Sequence, residues 1–308
     1  MSGAIAGRWK RARDSDLVYS FLHSPIAMAA AAVGLVCVVG AVFAPWLAPH
    51  DPFNIASLSL LDSFKPPLLA DGGTWANPLG TDEQGRDMLS AIMYGARVSL
   101  LVGASAVLFA VAVGVAIGLL AGYAGGIADA ALMRAADVQL TFPSILMALL
   151  VDGVIGALVP RSVHDRMQIY VIVFAIGISR WPQFARTVRG STLVERGKDY
   201  VAAARVIGVS SARIMASHIL PNVLGPVLVI GTLTLGLAIL DEATLSFLGV
   251  GLPVTQPSLG TLIRIGDDFL YSGQWWITVF PGAALVLMVL AINLLGDWLR
   301  DALNPRLR

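Results

Sequence analysis

Two adjacent acidic residues, Asp241 and Glu242, follow an apolar segment that runs from Ile214 to Leu240 without an Asp, Glu, Lys or Arg. A carboxylate in this position can bind a cation, transfer a proton or contact a polar solute. A charge near the centre of a lipid bilayer costs about 2.5 kcal/mol or more, so both groups require a partner or a function. Neighbouring residues of a helix point about 100° apart, so at most one of the two faces a central path directly. A capping role or a helix-helix contact is the alternative for each.

The other residue types that support catalysis form no recognisable set. Cys37 is the only cysteine, which excludes an intrachain disulfide and a cysteine-based metal site. The histidines His23, His50, His164 and His218 are scattered without ligand spacing. His218 is the one histidine within a candidate span, near its inner end, and it has neither a serine elbow nor a metal-ligand partner. The sequence therefore predicts no metal site and disfavours an intramembrane hydrolase.

The amino-acid composition indicates whether the chain is surrounded by water or by lipid. Of its 308 residues, 56% are hydrophobic and 13% charged, and the mean hydropathy is +0.76; soluble domains have roughly 25% charged residues. The net charge of +1 does not indicate a nucleic-acid partner. In lipid the fold must be helical or a closed barrel. The stretch from Val98 to Ala128 has no charge and lacks the alternation of barrel strands, so we predict an all-α polytopic membrane protein.

Six segments are candidates to cross the bilayer. A hydrocarbon core about 30 Å thick needs roughly 20 apolar residues in a helix. The four long charge-free stretches are Pro25 to Pro49, Val98 to Ala128, Ile214 to Leu240 and Phe269 to Gly296. Two weaker candidates cover about residues 130–151, with Arg134 and Asp137, and about residues 167–185, with Arg180. We expect Arg134 and Asp137 to pair at i, i+3. Six transmembrane helices would place both termini on the same side.

The distribution of Lys and Arg orients the chain, because cytoplasmic segments next to spans are enriched in these residues. With the N-terminus inside, thirteen of the 21 Lys and Arg residues fall in inner segments. They are Arg8, Lys10, Arg11, Arg13, Arg186, Arg189, Arg196, Lys198, Arg205, Arg213, Arg300, Arg306 and Arg308. Outer segments contain six: Lys65, Arg86, Arg97, Arg161, Arg166 and Arg264. The bias predicts an N-in, C-in topology.

The first apolar run and the outer loop after it carry no sign of a separate domain. The run follows a basic tail, but it exceeds the core of about 7 to 15 residues of a signal peptide, so we interpret it as an uncleaved anchor. In the loop, Thr81 and Gln84 have the spacing of a capping box, which predicts a helix start before the second span. Trp275 and Trp276 are interpreted as anchors at the membrane interface.

The longest inner loop contains two short helical patterns. Asp199 is expected to cap the first, in which Tyr200, Ala203, Ala204 and Ile207 fall on one face by the i, i+3, i+4, i+7 rule. Gly208 stops this helix, because glycine adopts the left-handed conformation at little cost. Ser210 or Ser211 then caps a second helix that leads into the fifth span. The alanine-rich face is expected to dock on the chain's own helix ends or on a partner.

This inner loop resembles the EAA loop of the permease subunits of ABC importers. That pattern reads Glu-Ala-Ala, three residues, Gly, nine residues, Ile-x-Leu-Pro. The matching positions are Ala203, Ala204, Gly208, Leu220 and Pro221. Ala202 stands in place of the Glu and His218 in place of the Ile. Permeases of peptide transporters commonly lack that Glu as well.

Further motifs resemble dipeptide and oligopeptide permeases of the DppC/OppC type, in the same order and over nearly the whole chain from Pro25. They are Leu79 to Asp87, Tyr94 to Leu100, Leu245 to Gly251, Pro257 to Gly260, Trp275-Trp276 with Phe280-Pro281-Gly282, and Asn293 to Asp297 with Arg300-Asp301. Two positions depart from the family: Leu259 stands where it usually has Trp, and Ala91 where it often has Arg.

The resemblance implies a permease subunit with the type I ABC importer fold in the bacterial plasma (inner) membrane. In that family an external substrate-binding protein delivers a di- or oligopeptide, and two cytoplasmic ATP-binding cassette subunits drive alternating access. This chain would be one of two related permeases, beside a subunit of the DppB/OppB type. It has no P-loop, since Gly197-Lys198 is followed by Asp199. ATP and Mg are therefore expected on partner subunits, and this chain is expected to bind no cofactor and to be no enzyme.

The resemblance also assigns roles to residues. The ATPase-coupling set is expected to comprise Ala202, Ala203, Ala204, Arg205, Gly208, Arg213, Leu220 and Pro221. The candidates for the translocation path or its gate are Asp241, Glu242 and Ser246.

The expected organisation has five parts. They are a cytoplasmic tail (1–24), a first transmembrane helix (25–49), an outer loop with an interfacial helix (50–96), a permease core of five transmembrane helices (97–299) with its coupling loop at about 186–218, and a cytoplasmic C-terminal tail (300–308). The alternative is an ion-coupled secondary transporter, which should show repeats or paired broken helices; none is evident. Peptides are the leading substrate class, although relatives with similar motifs carry nickel, glutathione and other solutes.

Overall fold

The computed structural model describes residues 16–53, 58–252 and 256–303 of the chain. Most of the predicted N-terminal tail, including Arg8, Lys10, Arg11 and Arg13, lies outside the described residues, and so does the end of the C-terminal tail from residue 304. The described part is helical apart from its loops. In the outer loop an isolated β-bridge joins Thr81 to Asp87.

The helices are numbered in chain order. They are α1 (Asp16–Leu22), α2 (Pro25–Val42), α3 (Ala44–Leu47), α4 (Met88–Ala124), α5 (Gly126–Leu140), α6 (Ser144–Leu158), α7 (Arg161–Arg196), α8 (Asp199–Val206), α9 (Ser211–Arg213), α10 (Leu220–Phe247), α11 (Leu259–Leu270) and α12 (Trp276–Ala302). A 3₁₀ turn covers Leu60–Asp62, and the π-helical stretch Ile214–Ile219 joins α9 to α10.

Four helical segments of the described chain are long and apolar enough to cross a membrane: Pro25–Val42, Met88–Ala124, Ser211–Phe247 and Trp276–Ala302. Helices α5 and α6 qualify only together and are bent by 93° at the break between them, so they add a fifth span if they form one broken span. The predicted span at 167–185 lies within α7, whose polar and charged residues keep it out of this set. The described residues therefore contain four to five candidate spans, and the predicted six are not confirmed.

Several span boundaries differ from the predicted ones: α2 ends at Val42 rather than at Pro49, and α12 covers Trp276–Ala302 rather than Phe269 to Gly296. Helix α4 begins at Met88 rather than near Val98, because Asp87 in the polar outer loop supplies its N-cap. Helix α10 continues past Leu240 to Phe247, so Asp241 and Glu242 lie inside the helix rather than at its end. Charged side chains do not end a helix when partners on neighbouring helices compensate them.

The most extensive helix contact is that of α4 with α7. Three glycines of α4, Gly114, Gly118 and Gly122, lie along it at a spacing of four residues. A Cβ atom added to Gly118 would lie 2.6 Å from the carbonyl oxygen of Ala185. In lipid, where no hydrophobic effect drives helices together, small residues at this spacing let two backbones touch and pack by van der Waals contact. Helix α7 is therefore fixed directly on the backbone of α4.

Helix α10 packs on α4 as well, and it also contacts α7 and α12. Gly103 of α4 faces Ile239 of α10, and a Cβ atom at Gly103 would lie 2.7 Å from the Ile239 side chain. Helix α11 lies against α12, α10 and α4. The two helices on either side of the α8–α9 segment, α7 and α10, therefore share α4 as a common support.

The predicted capping box in the outer loop is wrong. Asp87 caps α4, and its Oδ2 accepts hydrogen bonds from the Ser90 amide (2.8 Å) and the Ser90 hydroxyl (2.6 Å). Thr81 is fully buried, and its hydroxyl donates to the Asp62 carbonyl oxygen and accepts the Lys65 amide. The cause is competition: a carboxylate directly before the helix provides the cap, and Thr81 instead closes the loop onto itself.

The two tryptophans at the start of α12 have different environments. Trp276 is only 8% exposed, and its indole Nε1 donates to the Thr81 carbonyl oxygen at 3.0 Å. It therefore ties α12 to the outer loop and is not the interfacial anchor predicted from the sequence, because its N–H has a protein partner instead of water or headgroups. Trp275 is 45% exposed, and its anchor role stays a prediction.

The predicted pair of Arg134 with Asp137 does not form. Asp137 pairs with Arg186 of α7 at 3.7 Å. A second link joins Asp129 of α5 to Arg189 of α7, with distances of 2.5 Å (Nε to Oδ1) and 2.6 Å (Nη2 to Oδ2). Helix α5 lies alongside α7, so the arginines of the neighbouring helix are the nearer partners.

The substitution Gly118→Ala should lower the melting temperature of the purified protein. The added Cβ has no room beside the Ala185 carbonyl group, and overpacking of this kind costs about 1–3 kcal/mol. Scanning fluorimetry in detergent measures the change. Gly190→Ala on the exposed side of α7 is the matched control, because nothing lies within 4 Å of its added Cβ. Equal melting temperatures for both variants would contradict the packing described.

Candidate functional site

The segment that follows α7 reverses the chain through short helices. Helix α7 ends at Arg196, α8 covers Asp199–Val206, and α9 begins at Ser211. Gly208, between α8 and α9, has φ +79°, in the left-handed region where a side chain is disfavoured. The predicted stop at Gly208 is confirmed. Helix α9 passes without interruption through the π-helical stretch into α10, so the second short helix is the start of a span.

The predicted caps of this segment differ from those in the structure. Lys198, not Asp199, is the N-cap of α8, and Asp199 lies in the first turn. Ser210 is the N-cap of α9, as one of the two predicted alternatives, but its side chain makes no capping hydrogen bond. Asp199 still stabilises α8, because an acidic side chain in the first turn opposes the helix dipole.

The buried and exposed faces of α8 match the predicted ones only in part. Val201 and Ala204 are buried against the protein. Ala202 and Ala203 are exposed, and Val206 and Ile207 are 87% and 77% exposed. Ala203 and Ile207 are thus exposed together as predicted, but Ala204 is buried, so its predicted place on their face is wrong. The α8 outer face, as we name these four exposed residues, consists of small and apolar side chains with no cover in the described chain.

A set of hydrogen bonds holds α8 to α7 and α10. The Tyr200 hydroxyl donates to Glu195 Oε2 of α7 at 2.5 Å, and Lys198 Nζ lies 2.6 Å from Glu195 Oε1. Asn222 Nδ2 of α10 donates to the Tyr200 hydroxyl at 3.1 Å and to the His218 carbonyl oxygen at 2.8 Å. Burial, and then the bond to Glu195, raise the pKa of Tyr200, so its hydroxyl stays protonated and keeps donating.

The C-terminal end of α4 provides a second attachment. Arg196 Nη1 donates to the carbonyl oxygens of Gly122 (3.1 Å) and Tyr123 (2.9 Å). The guanidinium of Arg205 in α8 lies 5.0 Å from the centre of the Tyr123 ring, within the range of a cation–π contact. The Tyr123 hydroxyl lies 3.5 Å from Ser211 Oγ. The roles of Tyr123 and Arg196 could not be predicted from the sequence, since only the fold brings these residues to this segment.

The remaining residues predicted for ATPase coupling lie on the same segment. Arg213 is exposed at the end of α9, and Pro221 is exposed in the first turn of α10. Leu220 is half-buried and packs against the hydrophobic core. The structure thus brings all eight predicted coupling residues into one continuous stretch, with Ala204 and Leu220 turned toward the protein and the others reachable from outside.

Asp241 of α10 is paired with an arginine. Arg180 of α7 donates to Asp241 Oδ2 through Nε (3.0 Å) and Nη2 (2.6 Å). Nη2 also lies 3.4 Å from the hydroxyl of Ser144, the first residue of α6. Both charged side chains are 11% exposed. The charge on Asp241 is therefore compensated inside the bundle of helices.

Glu242 has a different environment. It is fully buried, and its carboxylate accepts hydrogen bonds from the hydroxyls of Ser99 (Oε2, 2.7 Å) and Ser246 (Oε1, 2.7 Å). The Leu259 amide donates to Ser99 Oγ at 3.3 Å, and the Leu252 amide donates to Ser246 Oγ at 3.4 Å. This network joins α10 to α4, to the loop after α10 and to α11.

The fold is similar to that of solved ABC transporters. Two structures of inward facing conformations of the MetNI methionine ABC transporter match it with TM-scores of 0.55 and 0.53, at 19% and 21% sequence identity. Each match covers 70% of this chain and 98% of the other chain. At this identity the likeness shows the fold alone, which is the ABC importer permease fold.

The sequence comparisons define the family. Residues 114–308 match the binding-protein-dependent transport system inner membrane component family, and residues 9–67 match the N-terminal TM domain of oligopeptide transport permease C. The chain is 39% identical to the di/tripeptide transport system permease protein DppC of Pseudomonas aeruginosa, over 96% of each chain. It is 43% identical to the dipeptide transport system permease protein DppC of Escherichia coli K12, over 90% of this chain and 89% of the relative.

The chain belongs to the binding-protein-dependent transport system inner membrane component family, as an ABC transporter permease of the DppC/OppC type. It is a multi-pass inner membrane protein and a transport component rather than an enzyme. The resemblance seen in the sequence is confirmed, and it replaces the alternatives of a secondary transporter and an intramembrane hydrolase.

The substitution Tyr200→Phe should loosen α8 from α7. It removes a hydrogen bond to a carboxylate, which contributes about 1.5–3 kcal/mol. Hydrogen exchange of the α8 amides, measured by mass spectrometry, should accelerate about tenfold or more. Tyr271→Phe is the matched control, because Tyr271 is 97% exposed and should leave exchange in α8 unchanged. Unchanged exchange in Tyr200→Phe would rule out this attachment.

Proposed function

We propose that this chain is one of two homologous permease subunits of an ATP-driven importer of di- and tripeptides. The observation that carries the proposal is the α8 outer face: a small, uncovered surface on a helix held between α7 and α10, in a member of the binding-protein-dependent permease family. The named relatives are di/tripeptide and dipeptide permeases, which supports peptides as the substrate class. A permease of the DppB/OppB type, two ATP-binding cassette subunits and an external substrate-binding protein complete the complex.

In this proposal the chain crosses the membrane six times with both termini inside. The spans are α2, α4, the bent pair α5–α6, α7, the continuous α9–α10 and α12. Helix α8 then lies on the cytoplasmic side, and its neighbours Arg196, Lys198, Arg205 and Arg213 agree with the enrichment of cations there. The five parts 1–24, 25–49, 50–96, 97–299 and 300–308 keep this order, with their boundaries moved to the ends of α2, α4 and α12.

Helix α8 is the element on which an ATPase subunit acts. Ala202 and Ala203 allow a partner surface to approach closely, while Arg205 and Arg213 offer charges at the rim of the contact. Because Tyr200 bonds to residues of both α7 and α10, a displacement of α8 moves the two helices as a rigid body. Shifting a two-state gate from 1:99 to 99:1 needs roughly 5.5 kcal/mol of differential binding, so the α8 outer face and both arginines share the work.

Energy for the cycle comes from the partner chains. ATP and Mg are bound by the two cassette subunits, because this chain has no P-loop sequence. This chain supplies part of the translocation path and the mechanical link between the ATPase subunits and that path.

The acidic residues of α10 serve the path or its gate. Glu242 and Ser246 connect α10 to α4 and to the segment around α11, which favours the gate for these two residues. An outward opening that separates α10 from α4 would have to break the bond between Glu242 and Ser99. Asp241, paired with Arg180 and partly accessible, is the better candidate for the path.

The composition of the purified complex tests this proposal. The tagged chain is extracted in mild detergent, and the intact mass of the assembly is measured by native mass spectrometry. We expect this chain, one different permease and two ATPase chains. Recovery of the chain alone or as a homo-oligomer without an ATPase would refute the proposal.

The substitution Ala203→Glu should uncouple ATP hydrolysis from transport. It places an unpaired carboxylate in the docked surface, where burial costs several kcal/mol. Peptide uptake into proteoliposomes should fall about tenfold or more while the chain remains folded. Ala70→Glu on the exposed outer loop is the control and should transport normally. Normal uptake by Ala203→Glu would remove α8 from the coupling path.

A further inference from the structure

The pair of Arg180 and Asp241 joins three helices inside the bundle. Arg180 comes from α7, Asp241 from α10, and the Ser144 hydroxyl near Arg180 Nη2 belongs to the first turn of α6. Each charged side chain is 11% exposed, so the pair is largely but not completely removed from solvent. Charges inside membrane-spanning segments are costly and mark pathways for polar solutes.

The hydrogen bonds between Arg180 and Asp241 involve only one of the two carboxylate oxygens. Both donating nitrogens of Arg180, Nε and Nη2, reach the same oxygen, Asp241 Oδ2. These two bonds leave Asp241 Oδ1 and Arg180 Nη1 unused, and the Ser144 hydroxyl also lies within hydrogen-bonding reach of the Asp241 carboxylate. A buried ion pair repays its desolvation only when its remaining donors and acceptors are satisfied. One oxygen of Asp241 and one nitrogen of Arg180 are thus not used by the bonds between the two side chains.

Glu242, the neighbouring acid, shows the opposite arrangement. Both of its carboxylate oxygens accept hydroxyl hydrogen bonds, and its exposed fraction is 0%. The two adjacent acids of α10 are therefore unequal: each oxygen of Glu242 accepts a serine hydroxyl, while both arginine bonds of Asp241 fall on one oxygen.

The pair also lies where the backbone is interrupted. Helices α5 and α6 meet at a 93° bend, and α6 restarts at Ser144 beside Arg180. Membrane transporters use broken helices near the bilayer centre to bind polar groups of their solutes. The break between α5 and α6 therefore lies beside the ion pair.

We propose that Arg180 and Asp241 form a binding site within the path for the charged termini of a zwitterionic short peptide. The peptide carboxylate accepts from Arg180 Nη1, and the peptide ammonium group donates to Asp241 Oδ1. This inference rests on the proposed function, and it names the substrate chemistry that the path recognises. Neither covalent chemistry nor proton transfer is involved.

A zwitterion suits this pair electrostatically. Without a peptide, Arg180 and Asp241 neutralise each other. With a peptide bound, each charge exchanges its partner for one of opposite sign, so the net charge in the bundle stays zero and no lone charge is buried. Two extended residues span at most about 7 Å, so the termini of a dipeptide can engage both members of a slightly separated pair.

The test measures binding of peptides that differ only at their ends. The complete complex, in lipid nanodiscs and without the substrate-binding protein, is titrated with Ala-Ala, N-acetyl-Ala-Ala, Ala-Ala-amide and N-acetyl-Ala-Ala-amide by equilibrium dialysis. The wild-type complex should prefer Ala-Ala over each singly blocked peptide about tenfold or more. The doubly blocked peptide should not compete.

The variants give reciprocal selectivity. Asp241→Asn should lose the discrimination against N-acetyl-Ala-Ala and keep that against Ala-Ala-amide. Arg180→Gln should do the reverse. Loss of a merely structural contact would not separate the two ends of the peptide. If either variant fails to assemble with the ATPases, we would use Asp241→Glu and Arg180→Lys, which keep the charges. For these two, the measured quantity is the change in preference between N-acetyl-Ala-Ala and Ala-Ala-amide.

The matched controls are Asp129→Asn and Arg189→Gln. These residues form an ion pair of similar length, also involving α7, but at its contact with α5. They should preserve the wild-type selectivity among the four peptides.

Three results would overturn the assignment. They are no saturable Ala-Ala binding to the wild-type complex up to about 10 mM, an equal loss of all peptides in Asp241→Asn and Arg180→Gln, or the same selectivity change in the control pair. Each of these results is measured on a complex that has first been shown to contain both ATPases. Failure of the site is thereby distinguished from failure of the proposed function, which would show as a missing ATPase.

Discussion

The backbone contact between α4 and α7 is the constraint on which the rest of the structure depends. Lipid gives no hydrophobic advantage to helix association, so the contact relies on close fit at Gly114, Gly118 and Gly122. This fit fixes the end of α4 beside the end of α7. There Arg196 satisfies two terminal carbonyl groups of α4, which a helix end otherwise leaves without a partner.

The same support determines how a displacement of α8 is transmitted. On one side, α7 is fixed to α4; on the other, α10 packs on α4 at Gly103 and is bonded to it through Ser99 and Glu242. Arg180 and Asp241 then link α7 to α10 directly. In this conformation the two helices that flank α8 are thus bonded to each other, and both pack on α4. In the proposed function, a partner that docks on α8 would act on both the ion pair and the Glu242 network.

Local properties of the sequence predicted much of this protein. Charge-free runs predicted the four long spans, and the motif around Gly208 predicted the short helices, since only glycine takes φ +79° easily. Contacts between distant residues were beyond reach: Arg180 and Asp241 are 61 residues apart, and Arg205 and Tyr123 are 82. Which face of α8 is buried also depends on the helices beneath it. The four-residue glycine spacing of α4 was a readable signal of close packing that the sequence analysis did not use.

Contact between the α8 outer face and an ATPase subunit is the central claim, and site-directed cross-linking tests it most directly. Cys37 is the only cysteine of this chain, so Cys37→Ser combined with cysteine-free partner subunits gives a cysteine-free background. Into it we would introduce Ala203→Cys or, as a control on the outer loop, Ala70→Cys, and attach a photoactivatable maleimide in the assembled complex. Illumination should give an adduct of this chain with one ATPase subunit from Ala203→Cys and none from Ala70→Cys. An assembled complex in which Ala203→Cys gives no ATPase adduct, or Ala70→Cys gives one, would contradict the account.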